Sequence, residues 1–156
     1  MSMSHSWRKI LCAVAAVTVL LLASCASQQE RDKNNVDLVV KQINDGQADK
    51  LAAMSSTPFL VDGEIVSLKP DIAAFWKGIV NAGFRVEKAT FELGGPVSAE
   101  SYKYFADTME VKSFFSQYVK KDARVLAFRS TTGERILLIV RESGSSRTIY
   151  GFKGPF

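Results

Sequence analysis

The stretch Ile136–Val140 constrains the fold of this chain more than any other segment. Its five consecutive residues are all apolar. A strand that alternates apolar and polar residues buries one face, whereas a strand that is apolar throughout needs cover on both faces. The segment is therefore predicted to be a central strand with other elements packed on both sides of its sheet.

Turn residues and alternating patterns indicate the other strands. Asp62-Gly63 separates two short apolar runs, which is the strongest short-range signal for a β-hairpin. Phe84–Leu93 is predicted as one long strand, and a change of side-chain phase near Lys88 indicates a bulge. Gly94-Gly95-Pro96 is expected to end that strand, and residues 97–106 suit a short strand or a loop. The chain closes with three strands at Arg124–Arg129, Glu134–Arg141 and Arg147–Phe152.

Four helices are predicted from apolar residues at i, i+3 and i+4 spacing. The most continuous apolar face belongs to Asp71–Ala82, which opens at Pro70 and carries Phe75 and Trp76 toward the core. The order of the predicted elements defines an α+β fold: helices, a hairpin, a helix, a long strand and a meander. The other three predicted helices cover residues 36–43, residues 48–54 and Thr108–Lys120, with Asn34 or Asn35 capping the first and Asp107 the last.

The order of these elements, together with the segments Asn44–Leu51, Pro58–Glu64 and Asp71–Trp76, resembles the cone-shaped fold named after nuclear transport factor two. That family includes the polyketide-cyclase-like (SnoaL-like) proteins. The resemblance implies N-terminal helices packed on a bent, mostly antiparallel, cone-like sheet. The helix at Thr108–Lys120 departs from the simplest version of the fold. Because the family holds isomerases, cyclases, dehydratases and non-enzymes, the fold alone assigns no activity.

Residues 1–24 have the pattern of a secretory signal peptide. Arg8 and Lys9 form a short positive region, and an apolar run follows from Ile10 to Ala23. This run of about fourteen residues is shorter than the ~20 that a membrane-spanning helix needs. It is therefore predicted to be a cleaved signal and not part of the folded domain.

The end of the signal resembles the lipobox of bacterial lipoproteins: Leu22, Ala23 and Ser24 lead directly into Cys25. The resemblance implies that these three residues are recognised by the signal peptidase and that Cys25 is lipidated and becomes the new N-terminus. Acyl chains such as palmitate would then anchor the protein to the envelope membrane. Ala26, in place of an aspartate, favours the outer membrane over the inner one.

Three segments are therefore predicted along the chain. Residues 1–24 are the signal peptide, and residues 25–34 are the lipidated cysteine with a flexible tether, because their polar residues show no apolar periodicity. Residues 35–156 form a single α+β domain. This domain would stand in the periplasmic space of the envelope, held to the membrane by its lipid.

The mature chain lacks the residues that many enzymes and metal sites use. The single histidine, His5, and one of the two cysteines, Cys12, lie in the signal peptide, and Cys25 carries the lipid. This excludes Ser-His-Asp and Cys-His catalysis, zinc sites of His and Cys, and disulfides, and no metal or cofactor is expected. The signal peptide also holds two basic residues, so its removal lowers the formal charge from +4 to +2. Nucleic acid is not an expected partner.

Trp76, Tyr102 and Tyr104 are the candidates for a ligand or partner surface. Aromatic residues at helical spacing, such as Trp76, more often belong to a core. Tyr102 and Tyr104 alternate with polar neighbours, which suits a strand with one aromatic face. No catalytic residue is assigned, because Asp62 beside Gly63 is predicted to be a turn residue.

The leading hypothesis is a non-enzymatic, lipid-anchored envelope domain that binds a partner protein or a small apolar ligand. Two alternatives stay open: a small-molecule isomerase or lyase that uses Asp and Tyr without a cofactor, and a purely structural envelope component. A buried carboxylate beside a tyrosine hydroxyl would favour the enzyme. A filled interior with exposed apolar surface would favour partner binding.

Overall fold

The computed structural model describes residues 27–130 and 132–155. Leu22, Ala23, Ser24 and Cys25 lie outside the described residues, as does the whole predicted signal peptide. The chain divides into two units, Met1–Lys33 and Asn34–Phe156.

The described part of the first unit, residues 27–33, is helical. We expected a flexible coil here, because the segment has no apolar periodicity. Its glutamine, glutamate, arginine and lysine residues have high helix propensity, and no glycine or proline interrupts them. The amide of Gln28 also donates a hydrogen bond of 3.1 Å to the carboxylate of Asp32, one helical turn away.

The second unit alternates short helices with six strands. Helix α1 covers residues 34–44. The remaining helical elements are α2 (Ala48–Met54), α3 (Lys69–Asn81), a short 3₁₀ helix (Ser101–Tyr104) and α4 (Met109–Gln117). The strands are β1 (Ser55–Val61), β2 (Glu64–Val66), β3 (Thr90–Pro96), β4 (Arg124–Arg129), β5 (Arg135–Ser143) and β6 (Ser146–Lys153). The unit is an α+β fold.

The six strands form one mixed sheet in the order β2-β1-β6-β5-β4-β3. Neighbouring strands are antiparallel except β1 and β6, which are parallel. Strands β2 and β3 are therefore the two edge strands of the sheet. The three strands predicted at the end of the chain form its β4-β5-β6 meander.

Both faces of the sheet are covered, and this confirms the prediction for Ile136–Val140. In β5, Ile136, Leu138 and Val140 point into a core beneath α1, α2 and α3. Leu137 and Ile139 point into a second core beneath α4 and the 3₁₀ helix. Because β5 lies between β6 and β4, its alternate side chains enter the two cores and leave no polar face.

The predicted hairpin is confirmed at Asp62-Gly63. Strands β1 and β2 pair through to Val61 and Glu64, so the turn has two residues. Both have positive φ, 49° for Asp62 and 100° for Gly63. This geometry matches the twist of the strands on either side and is why Asp-Gly is favoured in such turns.

The long strand predicted at Phe84–Leu93 is the largest difference from the sequence analysis. Strand β3 begins only at Thr90 and continues through the glycines to Pro96, which we expected to break it. Because β3 is an edge strand, it tolerates Pro96, which has no N–H to donate to a neighbouring strand. The bulge is real but lies between Phe91 and Leu93 instead of near Lys88.

Residues 84–89 are not a strand, and in this segment the backbone of Val86 pairs with a side chain instead of a neighbouring strand. The Asn44 amide donates to the carbonyl of Val86 at 2.8 Å, and its oxygen accepts from the Val86 N–H at 2.9 Å. Both backbone polar groups of Val86 are thereby satisfied without a sheet.

Helix ends also shift by a few residues. Asn34 and Asn35 are already helical and cap nothing. At α4 the cap is Thr108, whose hydroxyl accepts from the Val111 N–H at 3.3 Å, and not Asp107. The residue that caps a helix is decided by side-chain geometry. A sequence pattern cannot distinguish that residue from its neighbour along the chain.

Candidate functional site

Trp76, predicted as a candidate binding residue, is a core residue. Its side chain is 0% exposed, and its indole N–H donates to the Ser55 hydroxyl at 2.9 Å. Its ring contacts those of Phe59, Phe75 and Phe152, with centroids 4.9–5.8 Å apart. These rings fill the space between α3 and the sheet. Trp76 is therefore not part of an exposed binding surface.

Tyr102 and Tyr104 lie on a 3₁₀ helix and not on a strand. Two residues along a 3₁₀ helix point in different directions, unlike two residues along a strand. Tyr102 is accordingly 7% exposed and belongs to the second core, whereas Tyr104 is 55% exposed. The two rings do not share the single aromatic face that the alternation predicted.

Tyr102 has a carboxylate partner, as an acid–base site would need, but its surroundings oppose that chemistry. Burial raises the pKa of the Tyr102 phenol, and the adjacent Asp107 carboxylate, hydrogen-bonded to it, raises this pKa further. A proton-transfer group needs a pKa closer to neutrality, so both effects act in the wrong direction. Asp107 itself is exposed to solvent.

Asp62 stabilises a turn and a chain end. Its carboxylate accepts a hydrogen bond of 3.0 Å from the Gly154 N–H. Partial burial raises the pKa of Asp62, while the Gly154 hydrogen bond and the charge of Lys153 lower it in part. The Lys153 ammonium donates to the carbonyl oxygens of Tyr104 and Phe105 at 3.0 and 2.9 Å. These contacts tie the hairpin turn to the segment before α4, which is a structural role.

A groove of about 450 Å³ lies between β2 and α4. We call it the β2–α4 groove. On its strand side, Ile65 pairs with Leu60 across the hairpin and so shares the sheet face that α4 covers. On its helix side, Met109 is 72% exposed and Tyr118 is 44% exposed. The residues lining it are Pro58, Ile65, Ser67, Met109, Glu110, Ser113, Phe114, Gln117 and Tyr118.

The sequence contained a partial signal for this groove. Met109 is apolar but out of phase with the stripe of Val111, Phe114 and Phe115 that α4 buries. Tyr118, four residues after Phe114, would continue that stripe if the helix went on, but α4 ends at Gln117 and the tyrosine is 44% exposed. An apolar residue outside the buried stripe of its helix is the kind of residue that forms exposed apolar surface.

A third region, a cavity of about 480 Å³ between α2 and α3, is polar. It is lined in part by Asp49 and Lys77, whose side chains form an ion pair at 3.4 Å. Within residues 27–130 and 132–155, no three His, Cys, Asp or Glu side chains come together in a way that would hold a metal ion. The helices of the same ranges are too short or too polar to cross a membrane.

Comparison with known proteins gives no family match: no family model and no curated protein matches the chain. Two solved structures are similar in backbone. One is a DUF4783 family protein from Bacteroides ovatus, with 10% identity over 76% of this chain and 93% of that chain and a TM-score of 0.42. The other is a domain of unknown function with a cystatin-like fold from Nostoc punctiforme, with 17% identity over 73% of this chain and 67% of that chain and a TM-score of 0.35.

Proposed function

We propose that this protein is a lipid-anchored binding protein of the bacterial cell envelope, without enzymatic activity, and that an extended segment of an envelope protein docks in its β2–α4 groove. The observation that carries the proposal is the set of exposed apolar side chains Ile65, Met109 and Tyr118 around that groove. Apolar surface gathered at one place on a folded domain is typical of an interaction site.

The position of β2 supports an extended partner. Strand β2 is an edge strand of the sheet and pairs with β1 on one side only. The free N–H and C=O groups of an edge strand can pair with a strand from a partner. Grooves beside the edge strand then select the side chains of that partner strand. A partner strand laid along β2 would place alternate side chains toward Ile65 and Met109. Glu110 in the lining favours a partner segment that carries a basic residue.

The membrane part of the proposal rests on the residues before the domain. Leu22, Ala23 and Ser24 before Cys25 support lipidation, and Ala26 supports outer-membrane residence. A lipid anchor keeps the domain beside the partners available in the envelope, which raises their effective concentration.

The fold part of the proposal is the cone-shaped fold of the nuclear transport factor two family. Its support is the element order: helices, the Asp62-Gly63 hairpin, α3, a bulged strand and a meander. An experimental structure superposed on members of that family tests it, and a sheet that does not curve around α1–α3 would contradict it.

Site-specific photo-cross-linking in the native host tests the docking groove. A photoreactive phenylalanine analogue replaces Met109, and a control chain carries it at Lys50, which lines the polar cavity between α2 and α3. We expect a discrete cross-linked protein from position 109 alone, and loss of that product when Ile65→Lys is added. Both positions lie at the surface, so neither change disturbs the core.

The cross-linked protein is then identified and its binding is measured with purified components. Met109→Glu should weaken binding about tenfold or more, as expected for an apolar anchor at the centre of an interface. Lys50→Glu, a matched change to the same residue type, should leave affinity unchanged. Equal cross-linking from both positions would favour a purely structural component instead, and unchanged affinity for Met109→Glu would show that the partner does not dock in the β2–α4 groove.

A further inference from the structure

A second cavity, of about 550 Å³, lies on the opposite side of α4. We call it the α4 basic cavity. Its volume falls within the ~300–1,000 Å³ typical of small-molecule sites. It is lined by the apolar residues Val97, Ala99, Phe115 and Val119, the hydroxyl residues Ser98 and Ser116, and the lysines Lys112 and Lys121.

The α4 helix and the residues just after it supply half of this lining. Lys112, Phe115 and Ser116 follow the i, i+3 and i+4 spacing that places residues on a single helical side, and Val119 lies two residues beyond the end of the helix at Gln117. Phe115 and Val119 are nearly buried and form an apolar floor, whereas the lysine at the start of the row is exposed. The row thus runs from a cation to an apolar surface.

The facing wall is the segment that follows β3, and it is held in place by hydrogen bonds. The Val97 N–H donates to the Ala123 carbonyl at 3.0 Å. The Ser98 N–H donates to the hydroxyl of Ser101 at 2.9 Å, and the two serine hydroxyls are 3.1 Å apart. Because Ser101 is buried, this wall has a defined position opposite α4.

The charge of the cavity is of one sign. Lys112 and Lys121 are its two cations, and no acidic residue lines it. The Glu100 carboxylate, whose pKa the charge of Lys112 helps to lower, pairs with Lys103 at 2.6 Å. The β2–α4 groove and the α2–α3 cavity differ in this respect, since Glu110 lines the first and Asp49 the second.

We infer that the α4 basic cavity binds a free, single-chain amphiphile with an anionic head, of the fatty-acid carboxylate class. The head group would pair with the ammonium groups of Lys112 and Lys121, and the alkyl chain would lie on Phe115 and Val119. An apolar floor in a cavity with two cations is complementary to such a molecule in both charge and polarity. This site is separate from the β2–α4 groove and stands independently of the proposed function.

Photo-labelling of the full chain tests the inference. The purified full chain is mixed with lipid nanodiscs of zwitterionic phosphatidylcholine and exposed to a diazirine derivative of palmitic acid, or to the matching uncharged alcohol. We expect the acid to label peptides that contain residues 97–99 or 112–121, and the alcohol to label them less. Lys112→Gln with Lys121→Gln should lower labelling by the acid about fivefold to tenfold, as expected for the loss of two exposed ion pairs.

Matched variants separate charge from shape. Lys50→Gln with Lys88→Gln removes two exposed lysines elsewhere and should leave labelling unchanged. Ser116→Trp fills the cavity from an exposed position without removing a core side chain, and should abolish labelling by acid and alcohol alike. Circular dichroism melting curves confirm that each variant is folded.

Three outcomes would overturn the inference. In the first, the acid labels other peptides as strongly as those of the cavity. In the second, the double lysine variant does not lower labelling by the acid. In the third, a diazirine phosphatidylglycerol placed in the disc labels the same peptides more strongly than the acid does. The last outcome would assign the cavity to the head group of a membrane lipid and not to a free amphiphile.

Discussion

The indole N–H of Trp76 donates a hydrogen bond of 2.9 Å to the hydroxyl of Ser55, and that hydroxyl donates in turn to the Leu51 carbonyl at 2.8 Å. Both side chains are buried. The pair joins the middle of α3 to the first residue of β1 and to the middle of α2. It also explains how a tryptophan fits into an apolar core, since a buried N–H needs a partner.

Ser55→Ala should destabilise the domain by about 1–3 kcal/mol, because it leaves the buried N–H of Trp76 without an acceptor. Urea denaturation followed by circular dichroism measures this change. Ser116→Ala, at an exposed serine, is the control and should fall within about 0.5 kcal/mol of wild type. If the hydrogen bond is the cause, Ser55→Ala should cost less in a Trp76→Phe background. Equal costs in the two backgrounds would assign the effect to the Leu51 hydrogen bond instead.

Gly63→Ala should destabilise the domain by about 1–3 kcal/mol or more, the range for strained backbone conformations. The φ of Gly63 is +100°, and an added Cβ would lie 2.8 Å from the Cβ of Ala106. Gly78→Ala is the control: nothing lies within 4 Å of its added Cβ, and a helix interior favours alanine by about 0.5–1 kcal/mol.

A second variant separates the two causes at Gly63. Ala106→Gly removes the steric contact but not the backbone strain, so it should recover only part of the stability lost in Gly63→Ala. Full recovery would show that the positive φ costs nothing at this turn. No recovery would show that the contact with Ala106 is unimportant.

Glu92 should contribute to stability at neutral pH and lose that contribution in acid. A hydrogen bond from Arg129 lowers the pKa of Glu92, and the charges of Arg129 and Arg135 lower it further. Since the folded pKa lies below the unfolded one, the contribution is present above the ordinary glutamate pKa of about 4.3 and disappears as pH falls through the lower folded value.

Denaturation midpoints of wild type and Glu92→Gln, measured from neutral pH to about pH 2, test this linkage. The two midpoints should differ most near neutrality and converge in acid. Glu87→Gln, which removes an exposed carboxyl group but none of the Glu92 contacts, is the matched control. High salt should also reduce the Glu92 effect, because these charges are near the surface. A gap that persists below pH 3 would contradict the linkage.

Cys25→Ser should prevent lipid attachment and leave uncleaved precursor or protein that is not held by lipid. Growth with labelled palmitate, followed by membrane fractionation and immunoblotting, measures this. Cys12→Ser removes the other cysteine of the chain and should leave labelling intact. Undiminished label in the Cys25→Ser protein would disprove the lipobox interpretation.

Some of the fold was predictable because the cause was local. The Asp62-Gly63 turn needs two positive φ values, which these two residue types supply at low cost. Strand β4 was predicted with its observed bounds, Arg124–Arg129. For α3, predicted as Asp71–Ala82 and observed as Lys69–Asn81, the proline and the apolar stripe were sufficient, and only the ends moved.

The sites were much less predictable. Trp76 was a reasonable candidate for a ligand surface until the structure showed that neighbouring rings fill the space around it. Tyr102 and Tyr104 are two residues apart. In a strand this spacing places both rings on one face, but in the 3₁₀ helix that they form it points them in different directions. Met109 and Lys112 belong to two cavities on different sides of one helix, and nothing in their spacing alone shows which side faces solvent.

By itself, the sequence determined the α+β class, the hairpin turn and the burial of β5 on both faces, because turn angles and apolar periodicity depend on residues that are neighbours along the chain. Only the tertiary structure decided that Val86, in the segment 84–89, would pair with the Asn44 side chain instead of a strand. It alone also brought the segment after β3 against α4 to form a cavity with two lysines. Those contacts join residues far apart in sequence, and they arise when separate elements cover the two faces of one sheet.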